Sequence, residues 1–105
     1  MNYILEGKEV RKAKDWFEWG QWYEKNSRHV AKEKIGEIEI STVFLGIDHN
    51  MGDSKQPVLF ETMVFGGLHD NMCERYCTYA EAEQGHQRIV KLIRDENSDE
   101  KELDT

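Results

Sequence analysis

Hydrophobic and polar positions change period several times along this chain, and each change marks an element. Residues 2 to 12 alternate around Gly7, with Tyr3 and Leu5 before it and Val10 after. That pattern predicts a β-hairpin turning at Glu6-Gly7-Lys8. Asp15 is placed to cap a helix. Trp16, Trp19, Gly20 and Tyr23 then fall at i, i+3, i+4 and i+7, while Phe17 and Trp22 widen this into a broad aromatic face. Asn26-Ser27 ends the helix with turn-forming residues.

Arg28 to Ile35 alternates weakly up to a turn at Gly36. From Glu37 to Leu45 the alternation is regular: Ile38, Ile40, Thr42 and Phe44 share one side, Glu37, Glu39 and Ser41 the other. Beyond residue 41 both sides are apolar, as in a central strand. A loop at 46–57 closes on Pro57, and a second strand, Val58 to Phe65, stops at Gly66-Gly67. A short strand is predicted around Arg75 to Cys77. The last helix begins at the capping box Thr78-Tyr79-Ala80-Glu81. Ala82, His86, Ile89 and Ile93 form its inward stripe, and Arg88, Lys91 and Arg94 suit its C-terminal end. The order predicts an α+β domain over residues 1–94, an antiparallel sheet of about four to six strands with two helices packed on one face. Residues 95–105 are expected to be a disordered acidic tail.

Charge and composition narrow the field. At 105 residues the chain suits one modest core. Net charge is −7, yet residues 95–105 hold six acids and one lysine, and fifteen acids with thirteen bases leave only −2 on the rest. The acidity is therefore mostly terminal, which argues against a nucleic-acid mimic with fixed rows of carboxylates. The basic cluster Lys8, Arg11, Lys12 and Lys14 is diluted by Glu6, Glu9 and Asp15, which argues against nucleic-acid binding. No apolar run approaches a membrane span, and the N-terminus lacks the order of a secretory signal. A soluble cytoplasmic protein is expected. Cys73 and Cys77, the two cysteines, match no redox or zinc spacing and read as reduced thiols.

The chemistry concentrates between Phe44 and Gly67. The loop gathers Asp48, His49, Asn50 and Asp53 around Gly52. These residues suit a ligand site, and they equally suit an ordinary turn. Glu61 lies in strand alternation with Leu59, Met63 and Phe65, as a pocket carboxylate or a solvated one. His86 on the apolar stripe is either a ligand group or a core histidine with a hydrogen-bonding partner. Gly85 beside it costs about 1 kcal/mol relative to alanine in a helix, which close approach of the sheet or of a ligand would explain. Trp19 and Trp22 serve the core or stack on a flat ligand. His49, His69 and His86, with Asp48, Asp53, Glu61 and Asp70, are also adequate ligand types for zinc or manganese, though H-E-x-x-H spacing, nucleophile elbows and phosphate-binding Gly loops are missing. No cofactor is implied.

The segments TVFLGIDHNMG at 42–52, PVLFETMVFGG at 57–67 and RYCTYAEAEQGH at 75–86, with EWGQWYE at 18–24, resemble a family of small proteins encoded by bacteriophages and prophages. SKQP at 54–57 departs from the shorter, proline-rich loop of that pattern, and the two cysteines fall outside it. The resemblance implies a setting, counter-defence or host takeover in the host cytoplasm, and no chemistry.

In that setting the residues predict first a non-enzymatic module that captures a small polar, nucleotide-like ligand. Trp19 and Trp22 would stack, Asp48, His49, Asn50 and Glu61 would hydrogen-bond, and His86 would close the pocket, at a homo-oligomer interface. Two alternatives stand beside it. One is a protein–protein inhibitor of a host enzyme, using the aromatic helix or the acidic tail. The other is a small metal-dependent hydrolase of nucleotides or nucleic acid, with Asp48, His49 and Glu61 as ligands or base.

Overall fold

A computed structural model describes residues 2–50, 52 and 55–103, with side chains as far as residue 97. In chain order the elements are β1 (Tyr3–Glu6), β2 (Glu9–Lys12), α1 (Trp16–Lys25), β3 (His29–Ile35), β4 (Ile38–Phe44), β5 (Phe60–Phe65), β6 (Cys73–Tyr76) and α2 (Tyr79–Leu103). The fold is α+β, with antiparallel pairing throughout. The strands divide into two sheets: the β1-β2 hairpin, and a meander in the order β3-β4-β5-β6. β4 and β5 are its central strands, and for β4 the two-sided apolar pattern beyond residue 41 predicts that place.

The hairpin joins the rest through the Tyr3 N–H, which donates to the Gly46 carbonyl at 2.8 Å, and an isolated bridge from Asn2 to Ile47. On β1 the Leu5 carbonyl accepts the Trp22 indole N–H at 2.9 Å, so α1 lies where a further strand would extend the hairpin. Asp15 caps α1 by accepting the Glu18 N–H at 2.8 Å. α2 alone crosses the meander; α1 reaches it from the same side through Trp22, whose ring meets Phe44 edge-on at 5.4 Å.

Strand alternation builds the core directly. Ile40, Thr42 and Phe44 of β4 and Phe60, Thr62 and Val64 of β5 all face α2 and are fully buried. Two apolar clusters result, one around Tyr3, Phe44, Leu59, Phe60, Tyr76 and Ala82, the other around Ile40, Val64, Ile89, Val90 and Ile93. Each large side chain so buried contributes about 1.5–3 kcal/mol. The capping box starts α2 as predicted, with the Thr78 N–H donating to Glu81 Oε1 at 3.0 Å and the Glu81 N–H to Thr78 Oγ1 at 3.1 Å.

The helix passes Arg94 and runs to Leu103, so residues 95–103 of the segment expected to be a tail are helical. Glutamate, lysine and leucine are good helix formers, Lys91 pairs with Asp95 one turn on at 3.2 Å, and Glu96 is anchored by His69. Among the described residues no helix is long and apolar enough to cross a membrane.

Candidate functional site

The loop after β4 is set by a close approach. Gly46 has φ +78°, and a β-carbon there would lie 2.9 Å from the Tyr23 ring and 3.2 Å from the Trp19 indole nitrogen. Trp19 donates its N–H to the Gly46 carbonyl at 3.1 Å, and Tyr23 donates its hydroxyl to the Leu45 carbonyl at 3.4 Å. The two tryptophans expected to stack on a ligand therefore clasp the backbone, Trp19 on this loop and Trp22 on the hairpin. Trp22 also packs on Phe44, and Trp19 lies 4.5 Å from the Tyr23 ring. On α1 the aromatic surface left largely in solvent is Trp16 and Phe17, each 73% exposed.

The polar groups of the loop hold the loop itself. Asp48 Oδ1 accepts the N–H groups of Asn50 and Val58, both at 2.8 Å. The Val58 bond, seconded by Asn50, stabilises the carboxylate and keeps its pKa below the ordinary value. His49 donates Nδ1–H to the Ile47 carbonyl at 2.7 Å and its backbone N–H to the Val58 carbonyl at 2.8 Å. A carbonyl can only accept, so Nδ1 carries the proton. Asn50 accepts from Gly52 N–H at 2.9 Å and donates to the Gln56 carbonyl at 3.3 Å. Asp53 lies outside the described residues.

Glu61 and His86 lie on opposite faces of one sheet. Glu61 points away from α2, 17% exposed, and its carboxylate accepts Arg75 Nε–H at 2.9 Å from the position directly opposite on β6. Cys73 is a neighbour on that face; partial burial, then the Glu61 carboxylate, push its thiol above the ordinary value and away from thiolate chemistry. His86 is inside, 1% exposed. Its Nδ1 lies 2.7 Å from Thr42 Oγ1, which lies 2.6 Å from Thr62 Oγ1, which accepts the Tyr76 hydroxyl at 3.0 Å. This polar layer separates the two apolar clusters, and burial lowers the His86 pKa by disfavouring the cation. A β-carbon on Gly85 would lie 2.3 Å from the Tyr76 hydroxyl, so the approach that glycine permits is that of the sheet.

The expected constellation of Asp48, His49, Asn50, Glu61 and His86 therefore does not converge: the sheet stands between Glu61 and His86, and backbone bonds hold the loop groups. Among the described residues no three histidine, cysteine, aspartate or glutamate side chains are placed to hold a metal.

A cleft opens instead at the opposite end of the meander. It measures about 390 Å³ and lies between the turn after β5 and the C-terminal part of α2. Ile38, Val64 and Ile93 give it aliphatic walls, Gly66, Gly67 and Leu68 a backbone lip, and His69, Glu96 and Asn97 a polar rim. Gly67 has φ +72°, and a β-carbon there would lie 2.7 Å from Ile38 Cδ1. The Gly66 N–H donates to Asp70 Oδ1 at 2.7 Å, which holds the turn. His69 Nε2 lies 3.0 and 2.9 Å from the two Glu96 oxygens. A carboxylate accepts, so Nε2 is protonated and donates. Leu68 at the lip is 85% exposed.

Sequence reasoning missed this cleft because it ended the helix before Glu96. The usable signals were Gly66-Gly67 followed by an exposed leucine and a histidine, with nothing local to pair them. Compared with family models, curated proteins and solved structures, the chain shows no match.

Proposed function

We propose that this protein is a non-catalytic binding module that captures a small molecule in the cleft between the Gly66–His69 turn and α2. The observation that carries the proposal is the cleft itself, with its volume of about 390 Å³, aliphatic walls and short polar rim. Those are the dimensions and lining of small-molecule sites. Capture without turnover suits the described lining, which pairs one imidazole with one carboxylate and, among the described residues, brings no hydroxyl, thiol or amine nucleophile beside them. The counter-defence role implied by the phage resemblance would then be withdrawal of a host small molecule. A nucleotide is disfavoured as that molecule, since Trp19 and Trp22 are committed to backbone contacts and the rim carboxylate would repel phosphate.

The test is an amide-resolved NMR titration against a fragment library of mixed charge. Perturbations centred on Gly66, Gly67, Leu68 and His69, lost in Asn97→Trp, support the reading. A library that shifts none of these amides removes it.

A second reading rests on Trp16 and Phe17, adjacent on α1 and both largely exposed. Such a patch suits contact with a second copy or with a host protein. Sedimentation of wild type and of Trp16→Ser/Phe17→Ser tests the homo-oligomer: a wild-type monomer would remove that version, and a stoichiometric host partner lost in the double variant would support the other.

A further inference from the structure

We infer that the ligand class of this cleft is a small organic cation with an apolar body, an arylalkyl monoamine in chemical terms. The inference rests on the reading of the cleft as a capture site and adds its charge preference. Two independent features carry it. The first is charge. Among the described residues that line the cleft, Glu96 is the one formally charged side chain, taking histidine as neutral. His69 meets its two oxygens from one side only, and a carboxylate offers about four lone-pair positions, so acceptor capacity remains on a side chain 37% exposed. The nearby cations on α2 are engaged elsewhere, Arg94 with Glu33 and Lys91 with Asp95. Asp95 next to Glu96 adds a second carboxylate to the described part of the helix end. An ammonium group placed at the rim would make a charge-assisted hydrogen bond to Glu96; a phosphate or carboxylate there would be repelled.

The second feature is apolar. Leu68 stands 85% exposed at the lip, and Ile38, Val64 and Ile93 wall the cavity beneath it. A ring or short alkyl chain entering the cleft would cover Leu68 and replace water against the aliphatic walls. Charge without that body, as in a bare ammonium ion, leaves the walls wet. Body without the charge leaves the remaining acceptor positions of Glu96 to water.

The experiment compares three probes of nearly equal size: 2-phenylethylamine, 2-phenylethanol and phenylacetate, followed by the amides of Gly66 to His69. The amine is expected to bind about tenfold more tightly than the alcohol, the increment of one hydrogen bond to a charged group. Phenylacetate is expected to bind more weakly than either. Added salt should narrow the gap between amine and alcohol. Glu96→Gln should bring amine and alcohol to equal affinity, whereas Asp95→Asn, outside the lining, should keep them apart. Leu68→Ser should weaken amine and alcohol alike. Equal binding of all three probes, or a preference for the amine that survives Glu96→Gln, overturns the inference. So does silence from all three; if other fragments still bind in the titration above, the capture reading stands without it.

Discussion

Tyr76 fills the space that a β-carbon would take at Gly85, with the hydroxyl and two ring carbons all within 2.4 Å of that position. The helix therefore accepts a residue that weakens it because β6 delivers an aromatic ring to the same place. Gly85→Ala should destabilise the protein although it gains about 1 kcal/mol in helix propensity. Overpacking of this kind costs about 1–3 kcal/mol or more, and Tyr76 is held by Thr62 and cannot swing away freely. Urea unfolding of a double-mutant cycle checks the cause. In a Tyr76→Val background the alanine should become neutral or stabilising; an equal loss in both backgrounds would remove ring contact as the reason.

Thr42 bridges His86 and Thr62 within the buried polar layer. Thr42→Val keeps the shape and deletes the bridging hydroxyl, leaving a threonine and an imidazole nitrogen short of a partner in the core. The expected loss is about 1–3 kcal/mol. Thr42→Ser keeps the hydroxyl and removes one methyl, so it should cost less. Chemical denaturation of the two variants ranks them, and a serine variant as damaged as the valine one would show that packing, not bonding, sets the value of this position.

The same layer gives stability a pH dependence of definite sign. Burial holds the folded His86 pKa below its ordinary 6.5, with the Glu33 carboxylate opposing more weakly. Between the two values the unfolded chain binds a proton that the folded chain refuses. Stability is therefore full above pH 6.5 and falls as pH drops toward the folded pKa, at no more than about 1.4 kcal/mol per pH unit. Carboxylates add a separate loss at lower pH. Arg11, then the Lys14 N–H, hold Glu18 at about 2 instead of 4.5, Arg88 lowers Glu74, and Val58 lowers Asp48. These groups stabilise above their unfolded values and lose that contribution as pH falls through the folded ones. Urea midpoints across pH for wild type and His86→Gln separate the two phases. The phase just below 6.5 should vanish in the variant and the lower one persist.

Local periodicity carried much of this architecture, and long-range register carried the site. The run Ile38, Ile40, Thr42, Phe44 specifies the inner face of β4, and Thr78 with Glu81 specifies where α2 starts, since both signals lie within a few residues. The alternation of β5 correctly separates Glu61 and Met63 from Phe60 and Thr62. It cannot say which set faces α2, and so Glu61 reads equally as a pocket residue. Its true partner, Arg75, is fixed by β5–β6 pairing across fourteen residues of chain. Polar density in the 48–50 loop resembles a site in one dimension because turn-forming side chains and ligand-binding side chains are the same types. His69 and Glu96 are separated by twenty-seven residues, and their meeting depends on the helix continuing past Arg94 by less than one turn.

Gly67→Ala tests the wall of the cleft. The position has φ +72°, which a β-carbon disfavours by about 1–2 kcal/mol, and the added carbon would press on the tip of Ile38. Ile38 yields most easily toward the cavity it lines, so probe affinity should fall along with stability. Ile38→Val removes the nearer crowded carbon, Cδ1, and keeps Cγ1 at 2.9 Å, so it should restore part of the affinity in the double variant while the backbone penalty remains. Calorimetric titration with 2-phenylethylamine, beside thermal melts, reads the two effects separately. Affinity that tracks stability in every variant would mean that the wall has no specific part in binding.

Asp48→Ala separates the two regions that compete as the working site. The carboxylate anchors Asn50 and Val58 at the Phe44–Phe60 end of the meander, whereas the cleft opens beside Ile38 and Gly66 at the other end. Its loss frees two backbone N–H groups, so the protein should lose stability, less than for a fully buried site because water reaches the loop. Amides of residues 47–50 and 58 should shift or broaden, while Gly66, Gly67 and Leu68 keep their positions and their response to probe. Glu61→Gln, on the outer face, should likewise leave the probe response intact. An Asp48→Ala protein that melts like wild type but no longer binds would move the site back to the loop, and the cleft would then be a gap in the packing between α2 and the sheet.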